Sequence, residues 1–480
     1  MERNYIVVDL GTGNSRAALV SSAGKIYAVK SFENIYHKDE MYEDAQYFLP
    51  EEWQKPIMEG CRELRKEYPD IKVSAVVSSG ARESIVLFDK DGQAFLGLPN
   101  IDNRGREWVK EIPDKEYIYE ITGRWVTEDF PAAKLLGLRK KHPDLYNRVE
   151  KITSLSEWIG EIFTGKIVIE PSQACEIQLF DIETLEWSQR ICNYYGIRKE
   201  ILPELQKAGS SLGRIKEELC KELLLPVNTE FIIGGADTQV AVKGSGIHTG
   251  DVGIVSGTTS PVVTIVDKMY YDKEERCWTD CNLGGYNYQV ETNPGVTGMN
   301  YQRFKKMFFE NVPYGELDRL MDEKEEFLCT ASFASLNFSK KQSLKKGGFI
   351  TGAPFDAALD TTDLLWALVG DIACSIYVQY ESLCEMIPHE KDYILGCGGG
   401  LQSEVLCQMI ADLTGKKLII YEGFEQASIY GCMKVCNEYF EISYEKSKGK
   451  EKRFKPRTDS LIQKYYPVWL SNRQMLNPIN

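Results

Sequence analysis

Two stretches of this chain, about half its length apart, follow one plan. Residues 6–20 read IVVDLGTGNSRAALV and residues 252–266 read VGIVSGTTSPVVTIV. In each, an apolar strand runs into a Gly-Thr turn and a second apolar strand runs out. Solenoid repeats recur every 20–50 residues or so, far more often than this. The echo predicts two related α/β domains instead, one per copy. A chain of 480 residues calls for such a division, because single hydrophobic cores stop growing at about 250–300 residues.

The rest of the pattern agrees with α/β domains. After the first echo comes KIYAVKSF, a third short strand. A helix is predicted over 51–68, after Pro50, with Trp53, Ile57, Met58, Cys61 and Leu64 at helical spacing. VSAVVSSG then reads as a buried strand, and alternation of this kind marks an α/β domain. FIIGGADTQ, from 231, is another apolar strand that ends in glycines. A boundary is expected near 245–250, in KGSGIHTGD. A third glycine turn, YILGCGGGLQSEVLCQMIADLTG, runs from a strand into a helix with Val405, Leu406, Met409, Ile410 and Leu413 on one face and Gly415 as its C-cap. The basic run 446–457 reads as a solvated loop. A last helix near 459–470 carries Leu461, Ile462, Tyr465, Tyr466 and Trp469.

Phosphate binding asks for backbone N–H groups that approach closely, hydroxyl donors, and positive charge. Glycine allows the approach because it lacks a Cβ. DLGTGNSR supplies Gly11, Thr12, Gly13, Asn14 and Arg16, and Asp9 is a carboxylate suited to hydrated Mg²⁺. SGTTS offers a second cradle in Gly257, Thr258 and Thr259. Either turn alone is equally a plain hairpin; one in each half makes a nucleotide clamp the sharper reading. In GGADTQ, Asp237 follows a strand end and opens a short helix. An N-cap is one role for it. A general base that takes a proton from an attacking hydroxyl is the other.

Charge and composition narrow the function. The net charge of −14 and pI near 5.1 exclude a broad nucleic-acid footprint. Thirteen cysteines are scattered, with Cys277/Cys281 and Cys432/Cys436 spaced CxxxC and no zinc-like cluster. That usage fits free thiols in a reducing cytosol. MERNYIVV enters a strand without a signal-peptide pattern, and no apolar run approaches the roughly 20 residues of a membrane helix. A cytoplasmic protein with no membrane partner is expected.

In this order, the four glycine-centred segments resemble the FGGY family of carbohydrate kinases over nearly the whole chain. DLGTGNSR is similar to the first phosphate motif, SGTTS to the second, and GCGGGLQSEVLCQMIADLTG to the adenosine motif, which implies nucleotide roles for Gly399, Gly400 and Glu404. GGADTQ resembles the motif of the catalytic aspartate, which implies that role for Asp237 and a substrate contact for Gln239. TGMNYQRF resembles the helix start beside the nucleotide and implicates Gly298 and Gln302. Arg82 and Glu83, in SSGARES, match a pair that reads sugar or polyol hydroxyls. Asp102 and Arg104 match a D-x-R segment, and Phe130 falls where an aromatic wall is found. Trp158 is read as core packing. Within the family, the segments around 75–95, 98–112 and 154–174 look most like autoinducer-2 kinases; xylulose, ribulose and erythritol kinases share most of the signature. One departure is Gly370, which stands where many members carry a glutamate, with Asp371 following.

The resemblance implies two actin-like (ribonuclease H-like) α/β domains with the active site in the cleft between them. The first, 1–245, would carry the sugar site, first phosphate turn and Asp237; the second, 246–480, the second phosphate turn and adenosine pocket. It implies transfer of ATP's γ-phosphoryl group to a hydroxyl of a small open-chain sugar or polyol, autoinducer-2 among them, with Mg²⁺ held near Asp9 and Asp237, and a homodimer. A xylulose-, ribulose- or erythritol-type kinase is the alternative substrate reading. A sugar-independent actin-like ATPase, or a weakly catalytic sugar-binding protein, would share the phosphate turns.

Overall fold

The computed structural model describes residues 2–337, 342–344, 346–443 and 451–476. Two mixed sheets dominate it. The first is built from β1 (Asn4–Leu10), β2 (Asn14–Ser21), β3 (Ile26–Glu33), β4 (Val73–Gly80), β5 (Ser211–Arg214) and β6 (Glu230–Ala236). Its order is β3-β2-β1-β4-β6-β5. The outer pairs are antiparallel and the central β1/β4 and β4/β6 pairs are parallel.

The second sheet repeats this arrangement. It contains β7 (Val252–Val255), β8 (Val262–Val266), β9 (Trp278–Cys281), β10 (Tyr288–Thr292), β11 (Tyr393–Cys397), β12 (Lys417–Tyr421) and β13 (Glu451–Phe454), in the order β9-β10-β8-β7-β11-β12-β13. From β10 to β13 the pairing runs antiparallel, antiparallel, parallel, parallel, antiparallel, as it does from β3 to β5. The hairpin β1–β2 therefore occupies the same place in its sheet as β7–β8 does in the other. The echo in the sequence is an echo in topology.

Helices cover both sheets. The first, α1 (Pro50–Glu67), has Pro50 in its first turn, where a missing N–H costs nothing, with Glu51 and Glu52 at its N-terminus and Arg65 and Lys66 at its C-terminus. Trp53, Ile57, Cys61 and Leu64 are buried with Ile6, Val8, Leu19 and Val76 in one cluster. Trp158, on α2 (Leu155–Thr164), is fully buried in that cluster. In the second half, α4 (Gly298–Phe308), α5 (Thr361–Met386), α6 (Glu404–Thr414) and α8 (Leu461–Leu476) bury another core with Ile254, Val262, Ile394 and Leu418.

The strands β6 and β12 are each followed by a helix, α3 (Asp237–Ser245) and α7 (Ala427–Tyr439), and the two helices pack on each other. Gly244 and Gly431 make the crossing possible. A Cβ on Gly244 would lie 1.9 Å from the Ala427 carbonyl oxygen, and one on Gly431 1.9 Å from that of Val240. Although α7 is late in the chain, its Ile429, Met433 and Val435 pack with Tyr5, Val7, Val20 and Val77 of the first sheet.

Several expectations need correction. α5 is 26 residues long and apolar enough to cross a membrane by length and composition, although no such run was expected; most of its apolar stretch is buried inside the protein. The last helix runs on to Leu476, past 470. The basic run 446–457 is not all loop: 446–450 lie outside the described residues, Glu451–Phe454 form the edge strand β13, and Arg457 pairs with Asp412. Gly370 sits against the Tyr465 ring, where a Cβ would come within 3.0 Å, so a larger residue would displace α8. Asp371 accepts from Phe333 N, Ala334 N and Trp469 Nε1, at 2.8, 2.9 and 2.8 Å, and anchors the second core.

Candidate active site

The parallel strands β1, β4 and β6 end in register: Leu10 lies beside Gly80, and Gly80 beside Ala236. Ligands of open α/β sheets bind beyond such carboxyl ends. Asp9, Ser79, Arg82, Glu83 and Asp237 all lie at or just past this edge.

Asp9 is 4 % exposed and its carboxylate is surrounded. It pairs with Arg16 and accepts from Ser79 Oγ at 2.6 Å and Ser428 Oγ at 2.8 Å. Burial opposes its charge, but Arg16 and the two hydroxyls outweigh burial and hold it below the usual carboxylate range. Arg16 also reaches Gln426 Oε1, at 3.2 Å, so it ties the first turn to the start of α7.

Asp237 is the first residue of α3 and is only partly buried. Its Oδ1 accepts from Thr238 N at 2.7 Å. Burial pushes its carboxyl up to about 7; Arg82 pulls it down and Asp9 pushes it up. A carboxyl poised near 7 has the affinity a general base needs at neutral pH.

The first Gly-Thr turn is a hairpin, closed by Gly11 N to Asn14 O at 3.1 Å. Asn34 braces it from beneath, donating from Nδ2 to Gly11 O at 2.7 Å, and Asn100 Nδ2 reaches Thr12 Oγ1 at 2.8 Å. The second turn closes through Gly257 N to Thr259 O at 2.7 Å. It is packed by the other two glycine segments: a Cβ on Gly298 would lie 2.1 Å from Gly257 O, and one on Gly398 2.3 Å from Ser256 O. Gly400 N donates to Ser256 O at 2.8 Å. Three separate segments, around 257, 298 and 400, thus form one glycine-lined surface.

Beyond β4, Glu83 takes a left-handed backbone with φ 54°, a strained conformation for a non-glycine residue. Lys134 holds it there. The buried ammonium donates to Glu83 O at 2.6 Å and Pro99 O at 2.8 Å, and burial lowers its pKa to about 8.

Arg82 is almost fully buried, and its fork is engaged. Nη1 and Nη2 meet the two oxygens of Glu291, on β10, at 2.6 and 3.0 Å. Arg124 donates to Glu176 at 2.7 Å and lies 2.5 Å from Asp280 of β9. Burial pushes Glu176 well up against the pull of Arg124 and Arg82. Two guanidiniums thus sit among the carboxyl groups of Glu176, Asp280 and Glu291, with Glu83 3.6 Å from Arg124. Phe130 and Trp125 pack on Trp278 beside it, edge-on and tilted, with Arg124 4.9 Å from the Trp278 ring centre.

Residues 4–244 match the model of the FGGY family of carbohydrate kinases, N-terminal domain. Over 448 residues the chain is 40 % identical to a putative sugar kinase, YoaC, of Bacillus subtilis (strain 168), covering 93 % of this chain and 92 % of that one. It is 23 % identical to an autoinducer-2 kinase of Salmonella choleraesuis (strain SC-B67), covering 89 % and 84 %. Its fold matches a xylulose kinase of Lactobacillus acidophilus with TM-score 0.84 at 19 % identity, over 99 % of this chain and 98 % of that one. The chain belongs to the FGGY family of carbohydrate kinases. Its fold is the two-domain actin-like, ribonuclease H-like fold of these enzymes, and it is an ATP-dependent phosphotransferase acting on a hydroxyl group.

In this FGGY kinase the structure gathers most of the expected residues, but not all. Asp9, Arg16, Thr12, Arg82, Glu83 and Asp237 lie along one edge; Gly257, Thr258, Thr259, Gly298, Gly399 and Gly400 lie together on the other half. Gly13 and Asn14 are at the exposed tip of the first turn. Asp102 is not at the edge: it is fully buried, with Oδ2 on Arg104 Nε at 2.6 Å and Oδ1 accepting from Gln46 N at 3.1 Å, so it braces the loop from behind. Phe130 is fully buried, and Trp125 is the member of its group that keeps exposed surface. Gln239 is buried with Nε2 toward Cys281 O at 3.5 Å and Oε1 unsatisfied. Glu404 is exposed and pairs with Lys452 of β13, and Gln302 is exposed on α4. Sequence reasoning missed Asn34, Asn100, Lys134, Arg124, Asp280 and Glu291. Arg124 alone carried a signal, as a lone cation in ITGRWV.

For a divalent cation, the donor set is the all-oxygen kind that Mg²⁺ takes. Among the described residues Asp9 Oδ1 accepts from Ser79 alone and Asp237 bonds through Oδ1 alone, so both carboxylates keep lone pairs. The residues fit the ion.

Proposed function

We propose that this kinase transfers the γ-phosphoryl group of ATP to a hydroxyl of a small open-chain sugar or polyol, with Asp237 as general base. The observation that carries the reading is the placement of Asp237, which opens α3 at the same strand edge as the Arg82–Glu83 turn with its left-handed Glu83. At neutral pH such a carboxylate accepts a hydroxyl proton in the transition state. Glu83, partly exposed, offers acceptors for neighbouring hydroxyls, and Trp125 offers a flat face to the carbon chain. The Gly-Thr turns present backbone N–H groups to the transferring phosphate. Asp9 and Asp237 would hold Mg²⁺, which supplies charge neutralisation on the phosphates when bound. We place the first domain at 1–245 and the second at 246–480, with α3 closing one and β7 opening the other.

The autoinducer-2 kinase among the relatives and the xylulose kinase among the fold neighbours define the first compounds to try. The test measures ATP consumption with a panel of pentuloses, polyols and autoinducer-2, and without sugar. Stimulation of at least about a hundredfold by one compound is expected. A rate that is the same with and without every sugar would replace this reading by an actin-like ATPase.

A further inference from the structure

The segment Glu170–Gln173 touches the backbone just before each of the two sugar-site elements, and no role has been assigned to it. Ser172 Oγ accepts from Ala236 N at 3.0 Å, one residue before Asp237. Gln173 Nε2 donates to Gly80 O at 2.9 Å, two residues before Arg82. Glu170 locks the serine: its Oε2 accepts from Ser172 N at 2.6 Å and from the Ser172 hydroxyl. Its Oε1 accepts from Gly284 N at 2.6 Å, in the turn between β9 and β10. All three side chains are at most 1 % exposed.

The space around the supported backbone is closed. Gly235 has φ 152°, and a Cβ there would lie 2.6 Å from Leu283 Cδ2, 2.8 Å from Ser172 Oγ and 3.0 Å from Glu170 Oε2. A Cβ on Gly234 would lie 1.8 Å from Ser78 O, in β4. The ends of β4 and β6 therefore have no slack toward each other or toward the segment.

We propose that Glu170, Ser172 and Gln173 form a brace that sets the spacing between Asp237 and the Arg82–Glu83 turn, with Ser172 and Gln173 as positioning residues. One residue of the brace holds the base and the next holds the sugar-reading turn, so the two are spaced by a single rigid dipeptide. The inference rests on the kinase reading of the site. Misplacement of a reacting group by about 1 Å costs on the order of a hundredfold in rate.

The experiment compares Ser172→Ala, Ser172→Thr and Gln173→Met in the full-length protein. Ser172→Ala removes the acceptor under Ala236, and kcat is expected to fall about ten- to a hundredfold with sugar Kd within twofold. Ser172→Thr keeps the hydroxyl and is expected to restore most of kcat. Gln173→Met keeps the volume and is expected to raise sugar KM about tenfold, with ATP KM unchanged. Amide exchange at Ala236 is measured alongside, and at least tenfold faster exchange in Ser172→Ala, reversed in Ser172→Thr, reads the brace without turnover. Variants that melt earlier but keep kcat, KM and Ala236 exchange within twofold at 25 °C would overturn the brace. A wild-type protein that consumes ATP equally with and without sugar sinks the kinase reading instead, before any variant is compared.

Discussion

Glu291 of β10 grips Arg82 with both carboxylate oxygens, at 2.6 and 3.0 Å, and the pair is buried between the two halves of the chain. Arg82, with Glu83, was expected to read substrate hydroxyls; its fork is occupied by a residue 209 positions away. Burial raises the carboxyl of Glu291, but Arg82 and Asn293 outweigh it, so the carboxyl stays below its usual range. Removing one partner of a buried pair leaves the other charge uncompensated, at a cost of about 3–5 kcal/mol. Arg82 keeps Asp280 Oδ2 at 3.4 Å, so Glu291→Gln should lower stability by part of that amount. It should also raise sugar KM, because the Arg82–Glu83 turn loses its anchor, while ATP KM stays put. Denaturant melts and a kinetic series on both substrates check this. Unchanged stability would mean the pair is not held as described.

What the sequence disclosed, and what it hid, follow from range. Gly11, Gly257, Gly298 and Gly400 were legible because a glycine turn at a strand end is a local pattern with a local physical reason. The duplication of the sheets was legible because strand–turn–strand repeats intact. Glu291, Asp280 and Arg124 were not, because buried ion pairing is decided by which strands end up adjacent. Asp102 shows the reverse error. Its motif suggested a substrate contact, yet the carboxylate is spent on Arg104 and the Gln46 backbone, which no short motif reveals.

Asp237 gives a prediction in pH. Its carboxyl is raised to about 7, so as a base it gains activity as pH rises through that value. The kcat/KM for the sugar should fall on the acid side as Asp237 takes up its proton, and that limb should vanish in Asp237→Asn. That variant should lose turnover by about 10²–10⁴-fold, the usual share of a positioned base. A variant that keeps near-normal kcat would remove Asp237 from the chemistry.

The same shift has a consequence for stability, with the sign fixed by linkage. An aspartate raised in the folded state binds its proton more tightly folded than unfolded. Its contribution is full below pH 4 or so and is lost as pH rises through about 7. Above pH 7 the folded protein carries a disfavoured charge at this position. Asp237→Asn should then melt at a higher temperature than the wild type at pH 8, and the gap should close toward pH 4. A lower melting point at pH 8 would contradict the shift.

The crossing of α3 and α7 depends on two glycines whose tightest contacts are with backbone. A Cβ on Gly244 or Gly431 would come within 1.9 Å of a carbonyl oxygen on the facing helix, and neither contact has a flexible group to yield. Gly431→Ala should force the helices apart and cost at least the roughly 1–3 kcal/mol of an overpacked core. Because α7 and the residue before it also bring Ser428 and Gln426 to Asp9 and Arg16, kcat should fall with it. Calorimetry and steady-state rates measured together test the link; loss of stability alone would confine the crossing to packing.

Gly257 and Gly298 separate two uses of glycine in the second phosphate turn. A Cβ on Gly298 would strike Gly257 O at 2.1 Å, so Gly298→Ala should distort the turn, lowering both melting temperature and ATP affinity. Among the described residues nothing lies within 4 Å of a Cβ added to Gly257, and its φ lies outside the left-handed region. Folding therefore makes no demand for glycine there. If the position is kept open for a phosphate to approach the backbone N–H groups, Gly257→Ala should leave the melting temperature unchanged. ATP KM should rise about tenfold or more, a loss of roughly 1.4 kcal/mol, with sugar Kd unaffected. The same contrast applies to Gly13, whose Cβ also meets nothing within 4 Å. Alanine variants at both positions with wild-type ATP KM would show that these tips do not touch the nucleotide, and the clamp would then rest on the hydroxyls of Thr12, Thr258 and Thr259 alone.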